Sequence, residues 1–196
     1  MPTRYDRIAP QYERGVRHLE RWVFASLRQE ALKALPAIGR ILEIGAGTGL
    51  NFPCYSPSAQ GVATEPSWEM LRIARDKSRP KGITLSQNNA EQLPFASSSF
   101  DAALATLVFC TVRSPERAFA EIRRVVRSGG KLVLLEHVRP PGLLGPIFDG
   151  LNLLTVPLMA DHFNRRPVEL ARAAGLEVVS VRPSARGIIN LIECRV

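Results

Sequence analysis

Short apolar runs bounded by glycine or proline alternate along this chain with segments whose apolar residues recur every three or four positions. That is the pattern of strands alternating with helices. Near the N-terminus, Val16, Leu19, Val23 and Leu27 fall at helical spacing while Arg14, Arg17, Arg21 and Arg28 fall on a different face. The spacing predicts a basic amphipathic helix ending before Pro36, since proline lacks a backbone donor and clashes with the preceding turn. Arg40 to Ile44 is a short β-rich run that stops at glycines, and Gly61 to Thr64 is a second. Pro66 and Ser67 supply helix-start chemistry, and Trp68 to Lys77 keeps a helical pattern up to Pro80.

A third strand-like run is Ile83 to Gln87, and Phe100 to Val108 is apolar enough to be buried on both faces. Ser114 and Pro115 form an expected N-cap and first helical residue, with the helix running to about Arg127. Ser128-Gly129-Gly130 then turns the chain into Lys131 to His137, whose Leu-Val-Leu-Leu centre again implies burial on both faces. Pro167 to Ala174 is a helix closed by Gly175. Leu176 to Arg182 and Ile188 to Arg195 are strand-like and joined by Pro183-Ser184-Ala185-Arg186, a hairpin connection. The expected class is therefore α/β: a Rossmann-like, doubly wound, mostly parallel seven-stranded sheet with a C-terminal antiparallel hairpin and helices on both faces.

With 196 residues, 45% hydrophobic and 22% charged, the chain has the apolar content for one core and is expected to form a single domain over 1–196. Residues 1–36 are read as an N-terminal capping region and 138–166 as a substrate-side insertion. The apolar stretch from Val138 to Ala160 is interrupted by Pro140, Pro141, Pro146, Asp149 and Pro157, which disfavours a membrane-spanning helix. Met1 to Asp6 lacks the apolar centre of a signal peptide. Three widely spaced cysteines, Cys54, Cys110 and Cys194, suit a reducing compartment better than a disulfide framework or a zinc site, so the expected location is cytoplasmic and no metal is expected. Lysine and arginine number 26 against 18 acidic residues, a formal net charge of +8, which favours anionic partners such as an acidic ligand or an anionic membrane surface.

The sharpest chemical signal is Ile41-Leu42-Glu43-Ile44-Gly45-Ala46-Gly47-Thr48-Gly49-Leu50, a strand entering glycines at every second position. Glycine tolerates positive φ and lets a ligand approach the backbone. The dinucleotide fingerprint would need glycine where Leu50 stands, which weakens a pyrophosphate reading, and a nicotinamide-dependent oxidoreductase with it. Glu65 closes the second strand 20 residues beyond Gly45, where a doubly wound fold sets an acid against ribose hydroxyls.

With Tyr5-Asp6-x-Ile8-Ala9-Pro10-x-Tyr12, Glu65-Pro66-Ser67-x-x-Met70-Leu71, Asn89-Ala90-Glu91-x-Leu93-Pro94-Phe95 and Leu-Leu-Glu136-His137 in the same order, the chain resembles class I S-adenosylmethionine-dependent methyltransferases of the methyltransferase type 11 group. The resemblance implies that Glu43, Gly45, Gly47 and Gly49 hold the methionine part of S-adenosyl-L-methionine and that Glu65, beside Pro66, takes the ribose. It implies that Asn89, where the family usually has aspartate, meets the adenine with the Ala90 amide and the neighbouring Glu91. Thr106 and Leu107 would line the methyl-donor side, and Tyr5 and Tyr12 would close over the cofactor.

His137, at the carboxyl end of the fifth strand, is the candidate acceptor-side base, because histidine titrates near neutrality. Asp161 and His162, with Arg165 and Arg166, form a polar cluster suited to an acceptor head group. Thr106-Leu-Val-Phe-Cys110 and Leu-Leu-Glu136-His137-Val-Arg139 resemble blocks of bacterial phosphatidylethanolamine N-methyltransferases and alkyl-thiol methyltransferases. The expected activity is methyl transfer to a small apolar or lipid-like acceptor, most concretely a phospholipid amine, at the inner face of a membrane if the basic helix touches lipid. A thiol, a quinone or another metabolite remains the alternative acceptor, and a cofactor-binding protein without catalysis the alternative class. Nucleic acid is disfavoured, because no Asn/Asp-Pro-Pro-aromatic block follows the fourth strand. Oligomeric state is left open.

Overall fold

Seven apolar runs pair into one sheet: β1 (Arg40–Ile44), β2 (Gln60–Thr64), β3 (Gly82–Ser86), β4 (Phe100–Thr106), β5 (Val126–His137), β6 (Glu177–Ser184) and β7 (Ile189–Arg195). The computed structural model describes residues 3–139, 145, 146, 150, 162 and 165–196. The strand order is β3-β2-β1-β4-β5-β7-β6. β1 to β5 pair in parallel, and β7 lies antiparallel between β5 and β6. This is the expected mostly parallel sheet with its antiparallel hairpin. The strand order reverses between β1 and β4, and a crevice beyond the carboxyl ends of such a pair is where open α/β sheets bind ligands.

The helices are α1 (Arg4–Leu19), α2 (Ala25–Lys33), α3 (Trp68–Arg75), α4 (Pro115–Val125) and α5 (Pro167–Ala173), with a π-helical turn, Glu20–Phe24, joining α1 to α2. They cover both faces. Ile41, Leu104, Val133 and Leu191 pack with Leu27, Ala31 and Leu32 of α2, whereas Leu42, Ala103, Leu134 and Ile192 pack with Phe119 and Ile122 of α4 and Ala171 of α5. Alternate residues of one strand thus enter opposite cores, which is why these strands read as continuous apolar runs.

Local boundaries move where tertiary bonds compete with sequence signals. α4 stops at Val125 and β5 already begins at Val126, ahead of the glycine pair; the ladder to β4 slips between Phe100 and Ala102, and Gly129 adopts φ 73° within that bulge. β4 ends at Thr106 and not Val108, because Leu107 turns to φ 59° and breaks the extended run. Pro115 starts α4 as expected, but Ser114 makes no side-chain cap bond; the Glu91 carboxylate instead accepts the amides of Arg113 and Ser114, both at 3.1 Å. Gly175 closes α5 at φ 80°, with Leu176 N–H donating to the Ala171 carbonyl.

The largest departure lies near the N-terminus. Of the expected apolar stripe only Leu27 is buried, and Leu19 is 55% exposed, whereas Arg28, expected on the polar face, is only 5% exposed. The π turn is the reason. It takes one residue more than an α-turn, so everything after it is rotated by roughly 100° relative to an uninterrupted helix.

Candidate active site

The glycine loop leaves β1 at Ile44 with Gly45, Gly47 and Gly49 at φ 67°, 56° and 83°, a backbone region that side chains disfavour. Their surroundings differ. A Cβ on Gly45 would lie 2.5 Å from Val108 and one on Gly49 2.5 Å from Phe52, whereas nothing lies within 4 Å of a Cβ built on Gly47. Packing therefore demands the outer two glycines, and the middle one borders open space through which a ligand can reach the backbone.

Glu65, at the end of β2, faces this loop. Its Oε2 accepts the Gly47 amide at 3.0 Å and its Oε1 the Ser67 amide at 2.8 Å. Burial pushes its pKa up to about 7 despite these two bonds, and the charges of Asp6 and Glu43 add to the rise. Glu43 is also buried: it accepts from Asn51 Nδ2 at 2.7 Å and from the Tyr55 hydroxyl at 3.0 Å, and burial raises its pKa. Asn51 Nδ2 also donates to Thr106 Oγ1 at 2.9 Å, which ties the loop to the end of β4.

α1 lies beside α3 and over the loop. Asp6 accepts the Ser67 hydroxyl at 2.7 Å and the Glu69 amide at 3.1 Å at the start of α3, while Glu13 pairs with Lys77 just beyond its end. Tyr5 and Tyr12 meet edge to face with centroids 6.3 Å apart. Burial raises the Tyr12 phenol, which lies within the field of Arg28, Glu20 and Glu65. Two clasps at opposite ends of α3 thus hold α1 in place.

Beyond β4, Leu107 N–H donates to the Leu135 carbonyl at 2.7 Å, and Glu136, 1% exposed, accepts the amides of Val108 and Phe109 at 2.9 and 3.1 Å. The other side of this loop is clasped too. The His162 amide donates to the Cys110 carbonyl at 2.9 Å, and the Arg165 guanidinium donates to the Phe109 carbonyl. His137 ends β5 with its ring edge-on to Phe24, centroids 5.8 Å apart. Arg166 is paired at the surface with Glu169. Asp161 lies outside the described residues.

The adenine-side candidates are arranged less simply. Ala90 is buried, but the Asn89 side-chain oxygen already accepts the Glu91 amide at 3.0 Å, and Glu91 itself is turned to the start of α4. Pro66 is exposed, and its carbonyl accepts from Gln87. The structure also brings Arg28, Asn51, Tyr55 and Glu136 to the surroundings of the loop and the end of β4, none of them marked as a site residue by the sequence. Glu136 alone carried a signal, as a carboxylate at the end of an apolar strand.

A second cavity, of about 730 Å³, is lined by Leu35, Arg40, Cys54, Tyr55 and Gln60 at the amino ends of β1 and β2. It lies at the opposite end of the strands from the carboxyl-end crevice. Among the described residues, no cluster of potential metal ligands occurs and no helix is long and apolar enough to cross a membrane.

Known proteins resemble this chain over nearly its whole length. A methyltransferase domain family matches residues 42–134. The chain is 36% identical to the ubiquinone/menaquinone biosynthesis C-methyltransferase UbiE of Syntrophotalea carbinolica, across 97% of this chain and 92% of that one. It is 39% identical over 103 residues to the phosphatidylethanolamine N-methyltransferase of Cereibacter sphaeroides, a match that spans about half of either protein (50% and 51%). A crystal structure of an S-adenosylmethionine-dependent methyltransferase from Thermotoga maritima superposes with a TM-score of 0.75 at 29% identity, covering 97% of both chains.

Proposed function

The chain belongs to the S-adenosylmethionine-dependent methyltransferases, and from that membership we propose that its acceptor is apolar and lipid-like, most concretely the amine of a phospholipid such as phosphatidylethanolamine. When bound, the cofactor supplies an electrophilic methyl carbon. The chain's own task is to hold, orient and keep water out. The residues present fit the cofactor: open space stands over the Gly47 backbone, and a buried acid beside it accepts donors. Glu43 and the three glycines would hold its methionine part, Glu65 its ribose, Asn89 and Ala90 its adenine, with Thr106 and Leu107 on the methyl side. His137 is the proposed acceptor-side base, and Tyr5 and Tyr12 the proposed cover.

Gly47→Ala tests the cradle. The variant should bind S-adenosylhomocysteine roughly tenfold more weakly, because alanine resists φ 56° and its methyl enters the open space. Calorimetric titration measures this, and unchanged affinity would remove Gly47 from the binding face.

One observation carries the lipid reading. Trp22 is 75% exposed and Leu19 55%, and the Arg21 guanidinium lies 5.3 Å over the Trp22 ring, with Arg14 and Arg17 exposed nearby. A cavity of about 440 Å³, lined by Val16, Leu50, Arg14, Arg17 and Arg21 with Glu13 and Glu20, adjoins them. An apolar surface framed by arginines suits an anionic bilayer, and the same helix carries Tyr12 and Glu13 toward the crevice. Phosphatidylethanolamine and the quinones named in the two relatives all carry long apolar chains, which supports an interfacial acceptor. The chain-long alignment with the quinone-pathway enzyme favours a quinone as the second reading.

Co-sedimentation with phosphatidylglycerol vesicles should capture the protein, and reversing Arg17 and Arg21 to glutamate should weaken capture by about tenfold or more. Vesicles containing phosphatidylethanolamine should then accept labelled methyl groups. Methylation of a demethylated quinone in place of the phospholipid would select the second reading, and no vesicle capture would remove the membrane surface.

A further inference from the structure

Arg28 is a buried cation held between the segment after the glycine loop and the end of β4. The π turn rotates this residue into the interior, where it is 5% exposed. Its Nε donates to Glu20 Oε1 at 2.8 Å, and its Nη1 donates to Asn51 Oδ1 at 2.9 Å and to Thr106 Oγ1 at 2.8 Å. Those partners come from the π turn, from the segment following the glycine loop and from the carboxyl end of β4. Arg28 therefore sits across the switch point where the strand order reverses. A guanidinium has five N–H donors, and three are used. Among the described residues Nη2 donates to nothing, so two N–H groups of a nine-tenths buried cation are unspent at the crevice.

A cation with a free edge calls for an oxyanion, and the half-buried Tyr12 phenol of the proposed cover lies close enough to Arg28 to feel its charge. Thr106 and Asn51 fix the plane of the guanidinium, so its orientation is set before any ligand arrives. Glu20 balances part of the charge, which suits a ligand anion that must also leave after turnover.

We propose that Nη2 of Arg28 holds an anionic oxygen of a bound substrate, either the amino-acid carboxylate of the methyl donor or the phosphate of the acceptor. The carboxylate source rests on donor binding by this family and the phosphate source on the phospholipid reading, and a titration without acceptor keeps the two apart. Two ligands separate the sources. S-adenosylhomocysteine carries the carboxylate, and 5′-methylthioadenosine keeps the adenosine and sulfur without it.

Arg28→Met should weaken S-adenosylhomocysteine binding roughly 10- to 100-fold, the range of a lost charge-assisted bond, and leave methylthioadenosine within about twofold. That result assigns the anion to the donor. Unchanged binding of both, with a raised KM for phospholipid, assigns it to the acceptor. Equal weakening of both ligands, or no change in either ligand or in acceptor KM, overturns the proposal and leaves Arg28 as a strut. If the variant does not fold, the unaltered protein decides: equal affinity for S-adenosylhomocysteine and its decarboxylated analogue, with no competition by glycerol 3-phosphate against acceptor, overturns it as well.

Discussion

In Glu65→Gln, affinity for S-adenosylhomocysteine should fall by roughly 10- to 100-fold at pH 8 and lose its dependence on pH. The unaltered protein should bind about tenfold more weakly at pH 6 than above pH 8, because ribose hydroxyls donate to a carboxylate and the carboxyl group ionises at about 7. Burial is the main cause of that raised value, and two backbone donors only partly oppose it. The sign for stability follows. The folded state holds the proton more tightly than the unfolded chain, so this group's contribution is greatest below about pH 4.5 and declines as pH rises toward 7, by about 3 kcal/mol at most. Because ribose hydroxyls donate to the carboxylate, cofactor binding near pH 7 should release the Glu65 proton to solvent. Calorimetry at pH 6, 7 and 8 in buffers of different ionisation enthalpy reads both effects, and a flat profile in the unaltered protein would detach Glu65 from the ribose. Asp6→Asn should move the profile to lower pH, since one charge near Glu65 is then gone.

The sheet was legible from the chain because parallel strands buried on both faces are continuous apolar runs, and the glycine loop because three glycines in alternate positions have few other uses. Glu65 was legible by its distance from that loop. Arg28 was not, because a helical wheel assumes a constant turn, and the Glu20–Phe24 π turn shifts the phase without a glycine or proline to mark it. The same shift leaves Leu19 and Trp22 outside the core. The capping of α4 was misread for a different reason. Ser114 carries the right local chemistry but makes no cap bond, and Glu91, far away in the chain, instead holds the amides of Arg113 and Ser114 with a full charge. Local propensity proposes such contacts, and the fold chooses among them.

Glu136 is the residue whose loss should cost most in stability. Its Oε1 accepts two buried amides, those of Val108 and Phe109, directly after Leu107 has turned to a positive φ that leucine resists. Without the carboxylate both amides are stranded away from water, at about 1–3 kcal/mol each. Glu136→Ala should thus unfold about 5–15 °C below the parent, on the scale of a few degrees per kcal/mol for a chain of this size. Glu136→Gln keeps an acceptor oxygen and should recover most of that loss. The effect should reach the cofactor as well, because Val108 is the side chain that bars a Cβ at Gly45, so a loosened loop frees the glycine turn from one of its two steric stops. Thermal unfolding of the two variants, followed by S-adenosylhomocysteine titration at a temperature where both are folded, separates these steps. An alanine variant that melts with the parent would mean that the loop beyond β4 is held by the His162 and Arg165 clasp and not by Glu136.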